Sequence, residues 1–246
     1  MQTETRKRAR IGVLVPYTNT NLEPDMELLR PPDTTVHFAR MAGYDINEVP
    51  GSDQMAGLGA SDMSDALMMI SAVRPDAVIY GCTSATLTHG TGFDADLAAR
   101  IRDGSGALSF TAAGSLVAAL QVLAVTRVGF ASPYLGEIND QAVAFLADNG
   151  IATVKCHDIG RPLGNYGQGE LSPDDVFELA LCADHDDAEA IVLSCTDMRS
   201  VEVIERLEQA LGKPVVTSNQ SMMFNLMRAL GLPRHERLPG KLFERL

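Results

Sequence analysis

The sequence of 246 residues predicts an α/β protein made of two similar halves, each a four-stranded parallel sheet flanked by helices. Two observations support this fold class. Short apolar, β-branched segments alternate with longer segments that carry apolar residues at three- and four-residue spacing. The two halves of the chain also repeat the same motifs in the same order. Such alternation, with continuously apolar strands, is typical of a parallel sheet covered on both faces.

Eight short apolar segments are predicted to be strands, four in each half of the chain. In the first half they are residues 11–16, 35–40, 76–81 and 107–111. In the second half they are residues 127–132, 151–157, 189–194 and 214–217. Between them, segments such as "DMSDALMMISAV" and "SVEVIERLEQAL" have the apolar spacing of amphipathic helices.

The repeated motifs predict an internal duplication. "RIGVLVPY" (10–17) and "RVGFASPY" (127–134) share the pattern R-[IV]-G-x-x-x-P-Y. "DAVIYGCT" (76–83) and "EAIVLSCT" (189–196) share an apolar run that leads to Cys-Thr, at nearly the same separation. "TAAGSLVAAL" and "TSNQSMMFNL" form a weaker third pair. Because the three pairs occur in the same order, we expect the halves to pack about a pseudo-twofold axis.

The duplication gives two of the four cysteines a common position. Cys82 and Cys195 each come directly after a predicted strand. Ligands of parallel α/β sheets bind at the carboxyl ends of the strands, so the two thiols are expected to flank one cleft between the halves. A single cysteine after an apolar run is more often a packing residue, and Cys156 and Cys182 are predicted to have that role.

Two thiols in one cleft can carry acid–base or covalent chemistry. A thiol with an ordinary pKa near ~8.5 acts as a base or nucleophile when ionised and as an acid when neutral. Such a pair suits proton transfer across a planar intermediate, or addition to an activated double bond. The hydroxyls of Thr83, Ser84 and Thr196 could stabilise negative charge on a substrate carboxylate. Helix capping is the alternative role of these polar residues.

Composition and missing motifs exclude several classes of protein. A net charge of −12 argues against nucleic-acid binding, which needs a basic surface. The sequence has no apolar segment near the ~20 residues of a membrane span and no signal-peptide core, so no membrane association is expected. It contains no nucleotide-binding glycine motif and no metal-ligand spacing, which predicts the absence of a cofactor and a metal. Four cysteines without CxxC spacing indicate a reduced, cytoplasmic protein.

Taken together, the motifs resemble the aspartate/glutamate racemase superfamily, and within it the arylmalonate decarboxylase and maleate isomerase branch. The matching segments are "IGVLVPYTNTNLEPD", "VHFARM", "YGCTSATLTHG", "SCTDMRSVEVIERLEQALGKPVVTSNQ" and "SMMFNLMRALGL". The resemblance implies two α/β lobes with the active site between them. The first lobe would comprise residues 1–112 together with the returning segment 219–246, and the second would comprise residues 113–218. It also implies a homodimer and no cofactor.

The resemblance assigns roles to eight residues of this chain. It implies that Cys82 and Cys195 are the catalytic cysteines. It also implies that six residues bind the carboxylate substrate: Asn19, Thr83, Ser84, Tyr134, Asn165 and Thr196. The glycine-rich segment "GNYGQGE" (164–170), which contains Asn165, is predicted to be a flap over the cleft.

The predicted function is that of a cofactor-independent isomerase or racemase of a small carboxylate, most similar to maleate cis–trans isomerase. Decarboxylases of this branch resemble the chain in Thr83 and Ser84 but have glycine in place of Cys82. Maleate isomerases of the branch have the first cysteine but apolar residues in place of Thr83 and Ser84. Three alternatives stay open: an Asp/Glu-type racemase, a malonate-type decarboxylase with Cys195 as proton donor, and a catalytically silent carboxylate-binding protein.

Overall fold

The first half of the chain forms a four-stranded parallel sheet in the computed structural model, which describes residues 8–45, 48 and 50–246. Its strands are β1 (Ala9–Pro16), β2 (Thr34–Met41), β3 (Ala77–Tyr80) and β4 (Leu108–Thr111). They are arranged in the order β2-β1-β3-β4. The helices of this half are α1 (Leu22–Leu29), α2 (Ser52–Ala60), α3 (Ser64–Ser71), α4 (Ser84–Leu87) and α5 (Gly90–Ser105).

The second half repeats this arrangement. Helix α6 (Ala112–Val122) leads into strands β5 (Arg127–Ser132), β6 (Ala152–Asp158), β7 (Ala190–Leu193) and β8 (Val215–Thr217), ordered β6-β5-β7-β8. Its other helices are α7 (Gly136–Asp148), α8 (Pro173–Cys182), α9 (Ile204–Leu211) and α10 (Ser218–Leu230), with 3₁₀ helices at Val201–Val203 and Lys241–Arg245. Within the described part of the chain, no helix is both long enough and apolar enough to cross a membrane.

The predicted fold class is confirmed, since all eight predicted strands are present and every pairing is parallel. The inner strands β3 and β7 are buried at every residue, which explains their uninterrupted apolar sequences. Both sheets have the same strand order, as the predicted duplication requires.

The glycine shared by the repeated R-[IV]-G motifs lets a neighbouring segment pack directly on each sheet. A Cβ atom on Gly12 in β1 would lie 2.7 Å from Cγ1 of Ile70 in α3. A Cβ atom on Gly129 in β5 would lie 2.2 Å from the carbonyl oxygen of Ala183, which follows α8. Both distances are too short for a side chain, so the two glycines occupy equivalent close-packed positions.

Helices α6 and α10 connect the two halves. Each begins directly after the last strand of its half, where the hydroxyl of Thr111 or Thr217 accepts a hydrogen bond from the amide of Gly114 or Gln220. The two helices pack against each other, and each also contacts both β4 and β8. Because α6 and α10 contact both sheets, the lobe boundaries at 112/113 and 218/219 stay a prediction.

The prediction that Cys156 and Cys182 are packing residues is wrong. Both side chains are exposed. Cys156 lies in β6, which is the outer strand of its sheet and is only partly covered. Cys182 is the last residue of α8 and lies outside the buried set of that helix, which is Val176, Phe177, Leu179 and Ala180.

Candidate active site

The loops that follow β1, β3, β5 and β7 line one cavity between the two halves of the chain. In each sheet these are the two inner strands, and the strand order changes direction between them. Ligands bind at this switch point in open parallel sheets. The four loops contribute Pro16, Thr18, Asn19, Cys82, Thr83, Ser84, Pro133, Tyr134, Leu135, Cys195, Thr196 and Asp197 to the wall.

The cavity is small and has a mixed wall. Its volume is about 50 Å³. Since a bound water needs about 10–15 Å³, the space suits a ligand of a few carbon atoms. Apolar side chains complete the wall, including Met55, Leu58, Ile138 and Leu163. Among the described residues, no lysine, arginine or histidine lines it.

Cys82 lies two residues beyond the end of β3 and is 6% exposed. Its Sγ atom is 3.7 Å from Oγ of Ser84, at the start of α4. Burial raises the pKa of the Cys82 thiol, whereas hydrogen bonding from the amide of Ala85 and the hydroxyl of Ser84 opposes this rise. Burial thus favours the neutral thiol, and the donors around it are in place to stabilise a thiolate.

Cys195 lies two residues beyond the end of β7, the position equivalent to that of Cys82, and is 4% exposed. The amide of Asp197 donates to its Sγ atom at 3.3 Å, and Oε1 of Gln168 lies 3.9 Å from the same sulfur. Burial and then the negative charge of Asp197 raise the pKa of Cys195 well above its ordinary value. A charge on Cys82 raises this pKa further, so ionisation of one thiol opposes ionisation of the other.

Asn19 and Thr196 connect three of the four loops. Nδ2 of Asn19 donates to Oγ1 of Thr196 at 3.0 Å, and this hydroxyl donates to the carbonyl oxygen of Gly81 at 2.9 Å. Oδ1 of Asn19 accepts hydrogen bonds from the amides of Asn21 and Leu22 at the start of α1. Asn19 thus holds the chain just before and at the start of α1, and it lines the cavity at the same time.

Thr83 and Ser84 both line the cavity, and each has a neighbour outside its own loop. Oγ1 of Thr83 donates to Oγ of Ser218 in α10 at 2.9 Å. Oγ of Ser84 donates to the sulfur of Met55 in α2 at 3.0 Å. Since a thioether is a weak acceptor, the Ser84 hydroxyl is the more available of the two for a substrate carboxylate.

The two remaining predicted site residues, Tyr134 and Asn165, are placed differently. Tyr134 lines the cavity in hydrogen-bonding contact with Cys195, and burial raises the pKa of its hydroxyl. Asn165 is 8% exposed but does not line the wall, although its neighbour Gly164 does. Nδ2 of Asn165 donates to the carbonyl oxygen of Glu48 at 2.7 Å. A direct contact between Asn165 and substrate stays a prediction.

Four polar residues of the wall were not among the predicted site residues: Thr18, Tyr44, Gln168 and Asp197. Tyr44 follows β2, and its ring contacts Tyr17 with the centroids 5.8 Å apart. Gln168 belongs to the glycine-rich segment predicted to be a flap. Asp197 directly follows Cys195 and Thr196, so its position in the segment Ser-Cys-Thr-Asp was the sequence feature that could have identified it as a site residue. Across the residues that the structure describes, no group of three or more His, Cys, Asp or Glu could hold a metal ion.

Comparisons with known proteins agree with this architecture. Maleate isomerase of Geobacillus stearothermophilus is 26% identical over 252 residues, which cover 96% of this chain and 97% of the relative. Arylmalonate decarboxylase of Bordetella bronchiseptica is 29% identical over 154 residues, 61% of this chain and 62% of the relative.

The fold is shared with solved structures. A cysteine-to-serine mutant of Nocardia farcinica maleate cis-trans isomerase, with a covalently bound succinylcysteine intermediate, superposes with a TM-score of 0.85. It is 24% identical, and the alignment covers 97% of this chain and 99% of that one. A sequence profile described as arylmalonate decarboxylase matches residues 11–243. Because this profile spans almost the entire sequence, the chain belongs to the arylmalonate decarboxylase family.

Proposed function

We propose that the protein is a cofactor-independent cis–trans isomerase that converts maleate, or a similar small cis-dicarboxylate, to its trans isomer. The observation that carries this proposal is the placement of Cys82 and Cys195 at equivalent positions around one small cavity. A decarboxylase needs only one proton donor, so the second thiol favours an isomerase. Maleate isomerases among the relatives, and the succinylcysteine of the Nocardia enzyme, support the same choice.

Cys82 is the better candidate for the nucleophile. Three hydrogen-bond donors lower the pKa of Cys82, namely the amides of Ser84 and Ala85 at the start of α4 and the Ser84 hydroxyl. Only two lower the pKa of Cys195, the Asp197 amide and the Tyr134 hydroxyl. Cys82 therefore ionises first, and Cys195 remains a neutral acid.

The reaction then proceeds by reversible addition. The Cys82 thiolate forms a bond to one alkene carbon, and the π electron pair moves toward the carboxylate on the other carbon, which gives an enolate. The Cys195 thiol donates a proton to that carbon, so the central carbon–carbon bond becomes single and rotates. The Cys195 thiolate then removes a proton, the double bond re-forms, and the bond to Cys82 breaks to release the trans product.

The enolate must be stabilised without a cationic side chain in the described wall. Hydroxyl groups and amides aimed at the developing charge can supply this stabilisation in a site that excludes water. The candidates are the Ser84 hydroxyl, the second N–H of the Asn19 amide and the Tyr134 hydroxyl. The hydroxyls of Thr83 and Thr196 would contribute only by turning from Ser218 and from the carbonyl oxygen of Gly81.

Proton NMR in heavy water with maleate as substrate tests the proposal. We expect fumarate to form, with deuterium at the alkene carbon that exchanges with Cys195. Cys82→Ser and Cys195→Ser should each reduce kcat by at least about a thousandfold, because a serine hydroxyl neither ionises nor leaves as a thiol does. Cys156→Ser and Cys182→Ser are matched controls, since both side chains are exposed and outside the cavity.

The same assay separates the alternatives. Loss of the α-proton signal of aspartate or glutamate indicates a racemase, and loss of carbon dioxide from a substituted malonate indicates a decarboxylase. Dicarboxylate binding without turnover indicates a silent binding protein. Full activity of Cys82→Ser on maleate would contradict the assignment of the nucleophile.

A further inference from the structure

A carboxyl group lies where an anionic substrate must bind. Asp197 is 6% exposed and lines the cavity two residues after Cys195. An ionised Asp197 would repel a dicarboxylate, and the described wall offers no lysine, arginine or histidine to offset this repulsion. The ionisation state of Asp197 therefore matters for binding.

The hydrogen bonds of Asp197 are concentrated on one of its two carboxyl oxygens. Oδ1 accepts from the amides of Thr20 and Asn21 at 2.8 and 3.0 Å. It also lies 3.2 Å from Nδ2 of Asn21 and 3.3 Å from Oγ1 of Thr20. We call Thr20, Asn21 and Asp197 the carboxylate cluster. Among the described residues, Oδ2 of Asp197 has no hydrogen-bond partner, so it is the oxygen free to carry a proton and to meet a ligand.

The surroundings favour the protonated form. Burial raises the pKa of Asp197, and the four donors on Oδ1 oppose this rise. An ionised Asp197 in turn raises the pKa values of Cys82, Cys195 and Asp25, because its negative charge opposes a second negative charge nearby.

The other charged or titratable groups on the surrounding elements do not place a free cation in the cavity. Arg40 binds the outer side of the 17–19 loop through the carbonyl oxygens of Tyr17 and Asn19, and it is paired with Glu23 at 2.6 Å. Arg199 is paired with Glu202 at 2.8 Å. Tyr44 and Tyr134 line the same wall, and burial raises both of their pKa values.

We infer that Asp197 is a substrate-binding residue that holds one carboxylate of the dicarboxylate as a neutral acid, with its Oδ2–H group as the hydrogen-bond donor. This inference rests on the proposed function for the class of substrate. Oδ1 meanwhile keeps its bonds to Thr20 and Asn21, so the same side chain holds two loops together and recognises an anion. Substrate binding is consequently coupled to the uptake of a proton when Asp197 is ionised in the free protein.

The sign of the pH dependence follows from this coupling. Below the pKa of Asp197 the donor is already present, and binding is tight. Above it, each binding event takes up one proton from the solvent, so Kd rises by about tenfold per pH unit. Asp197→Asn removes this dependence, because an asparagine keeps the Oδ1 acceptor and supplies a permanent N–H donor in place of Oδ2–H.

Isothermal titration calorimetry with succinate tests the inference. Succinate has the two carboxylates but no double bond, so binding is measured without turnover. Titrations in buffers of different ionisation enthalpy, from pH 5.5 to 8.5, give both Kd and the number of protons taken up. For the unmodified protein we expect proton uptake on binding and a Kd that rises with pH. For Asp197→Asn we expect less proton uptake and a smaller rise in Kd. Because succinate titrates in the same way in both experiments, the variant also corrects for the ionisation of succinate. Asp197→Ala, which loses both oxygens, should bind weakly throughout.

The outcomes distinguish this inference from the proposed function. Equal proton uptake and equal pH dependence in the unmodified protein and Asp197→Asn would overturn it. Proton uptake that requires Asp197, together with no conversion of maleate, would support it while rejecting the isomerase. Circular dichroism of each variant establishes that it folds, and Asp197→Asn tests the inference even where Asp197→Ala does not fold.

Discussion

At the scale of single residues, the polar side chains of the cavity also hold its loops together. Thr196 accepts a hydrogen bond from Asn19 and donates to the carbonyl oxygen of Gly81, which are 177 and 115 residues away in sequence. Such side chains line the cavity only when both halves are folded. Substituting them therefore affects stability and activity together, unless the new side chain keeps the hydrogen bonds that hold the loops and loses only those that face the cavity.

At Asn19, a substitution can keep the bonds to the start of α1 and change the side of the amide that faces Thr196. In Asn19→Asp, a carboxylate oxygen still accepts from the amides of Asn21 and Leu22, and a negative charge at the start of α1 is favourable. The Nδ2–H group that donates to Oγ1 of Thr196 is replaced by a negatively charged carboxylate oxygen, which can only accept. We expect kcat/KM for maleate to fall by about a hundredfold or more, while the free energy of unfolding falls by about 1–3 kcal/mol because the buried bond to Thr196 is lost.

Urea unfolding and steady-state kinetics on the same preparations check this prediction. Asn19→Ala is the matched variant, since it loses the bonds from the amides of Asn21 and Leu22 as well as the bond to Thr196, and it should be less stable than Asn19→Asp. Full activity of Asn19→Asp would show that the Asn19 donor takes no part in substrate binding.

The sequence predicted the site residues unevenly, for a physical reason. Cys82 and Cys195 were identified because the duplication repeats their position after a strand. Asp197 and Gln168 were not, because their importance depends on contacts with distant segments. Oδ1 of Asp197 accepts from Thr20 and Asn21, more than 170 residues earlier in the chain, and no local pattern indicates such a pairing.

At the scale of elements, the glycine-rich segment 164–170 covers one side of the cavity. Gly164 and Gln168 line the wall, and the carbonyl oxygen of Gly169 accepts from Nδ2 of Asn21 at 3.0 Å. A Cβ atom on Gly169 would lie 2.5 Å from Oγ1 of Thr20 and 3.0 Å from Oδ1 of Asp197. The segment therefore packs on the carboxylate cluster only because residue 169 has no side chain.

We expect Gly169→Ala to raise KM by about tenfold with little change in stability. The new methyl group must push the segment away from the carboxylate cluster, which displaces Gln168 and disturbs Asp197. Gly92→Ala in α5 is the control, because nothing lies within 4 Å of its added Cβ, and alanine favours a helix. Steady-state kinetics and thermal unfolding of both variants check this expectation, and an unchanged KM for Gly169→Ala would contradict it.

Helices and strands were predicted best where every residue of the element is buried. The strand predictions succeeded because the inner strands are buried on both faces and read as apolar runs. Helix α4 has only four residues, "SATL", which is too short for apolar periodicity to indicate a helix. The segment "SVEVIERLEQAL" was predicted as one helix, but it divides into the 3₁₀ helix Val201–Val203 and α9.

At the scale of the whole molecule, buried polar groups lie where the two halves meet. Asp25 in α1 is 2% exposed, and its Oδ2 accepts from Nδ2 of Asn219 in α10 at 2.7 Å. The same amide nitrogen donates to the carbonyl oxygen of Thr196 at 3.1 Å. Asp25 thus lies two hydrogen bonds behind the cavity wall. The homodimer and the cytoplasmic location, which concern surfaces and surroundings beyond this chain, stay predictions.

Asp25 links the stability of the molecule to pH. Burial raises the pKa of Asp25 from an ordinary value of 3.8 to about 7 in the folded protein. A carboxyl group with a raised folded-state pKa stabilises the fold fully below its unfolded pKa, and this contribution is lost as the pH rises through the folded pKa. The free energy of unfolding should therefore fall between pH 4 and pH 8, by up to about 4 kcal/mol from this group.

Asp25→Asn isolates this contribution from that of other groups. The carboxyls of Asp94, Asp197 and Glu208, which are partly or fully buried, also have raised pKa values and change stability in the same direction, so the pH profile of the unmodified protein alone is not diagnostic. In Asp25→Asn an amide oxygen can still accept from Asn219 and never ionises. We expect the variant to match the unmodified protein near pH 4, to be more stable by about 1.5 kcal/mol at pH 5, and to be more stable by about 4 kcal/mol at pH 8. Urea unfolding at pH 4, 5, 6, 7 and 8 measures the difference. Parallel pH profiles would mean that Asp25 ionises without cost in the folded protein, because water reaches it between α1 and α10.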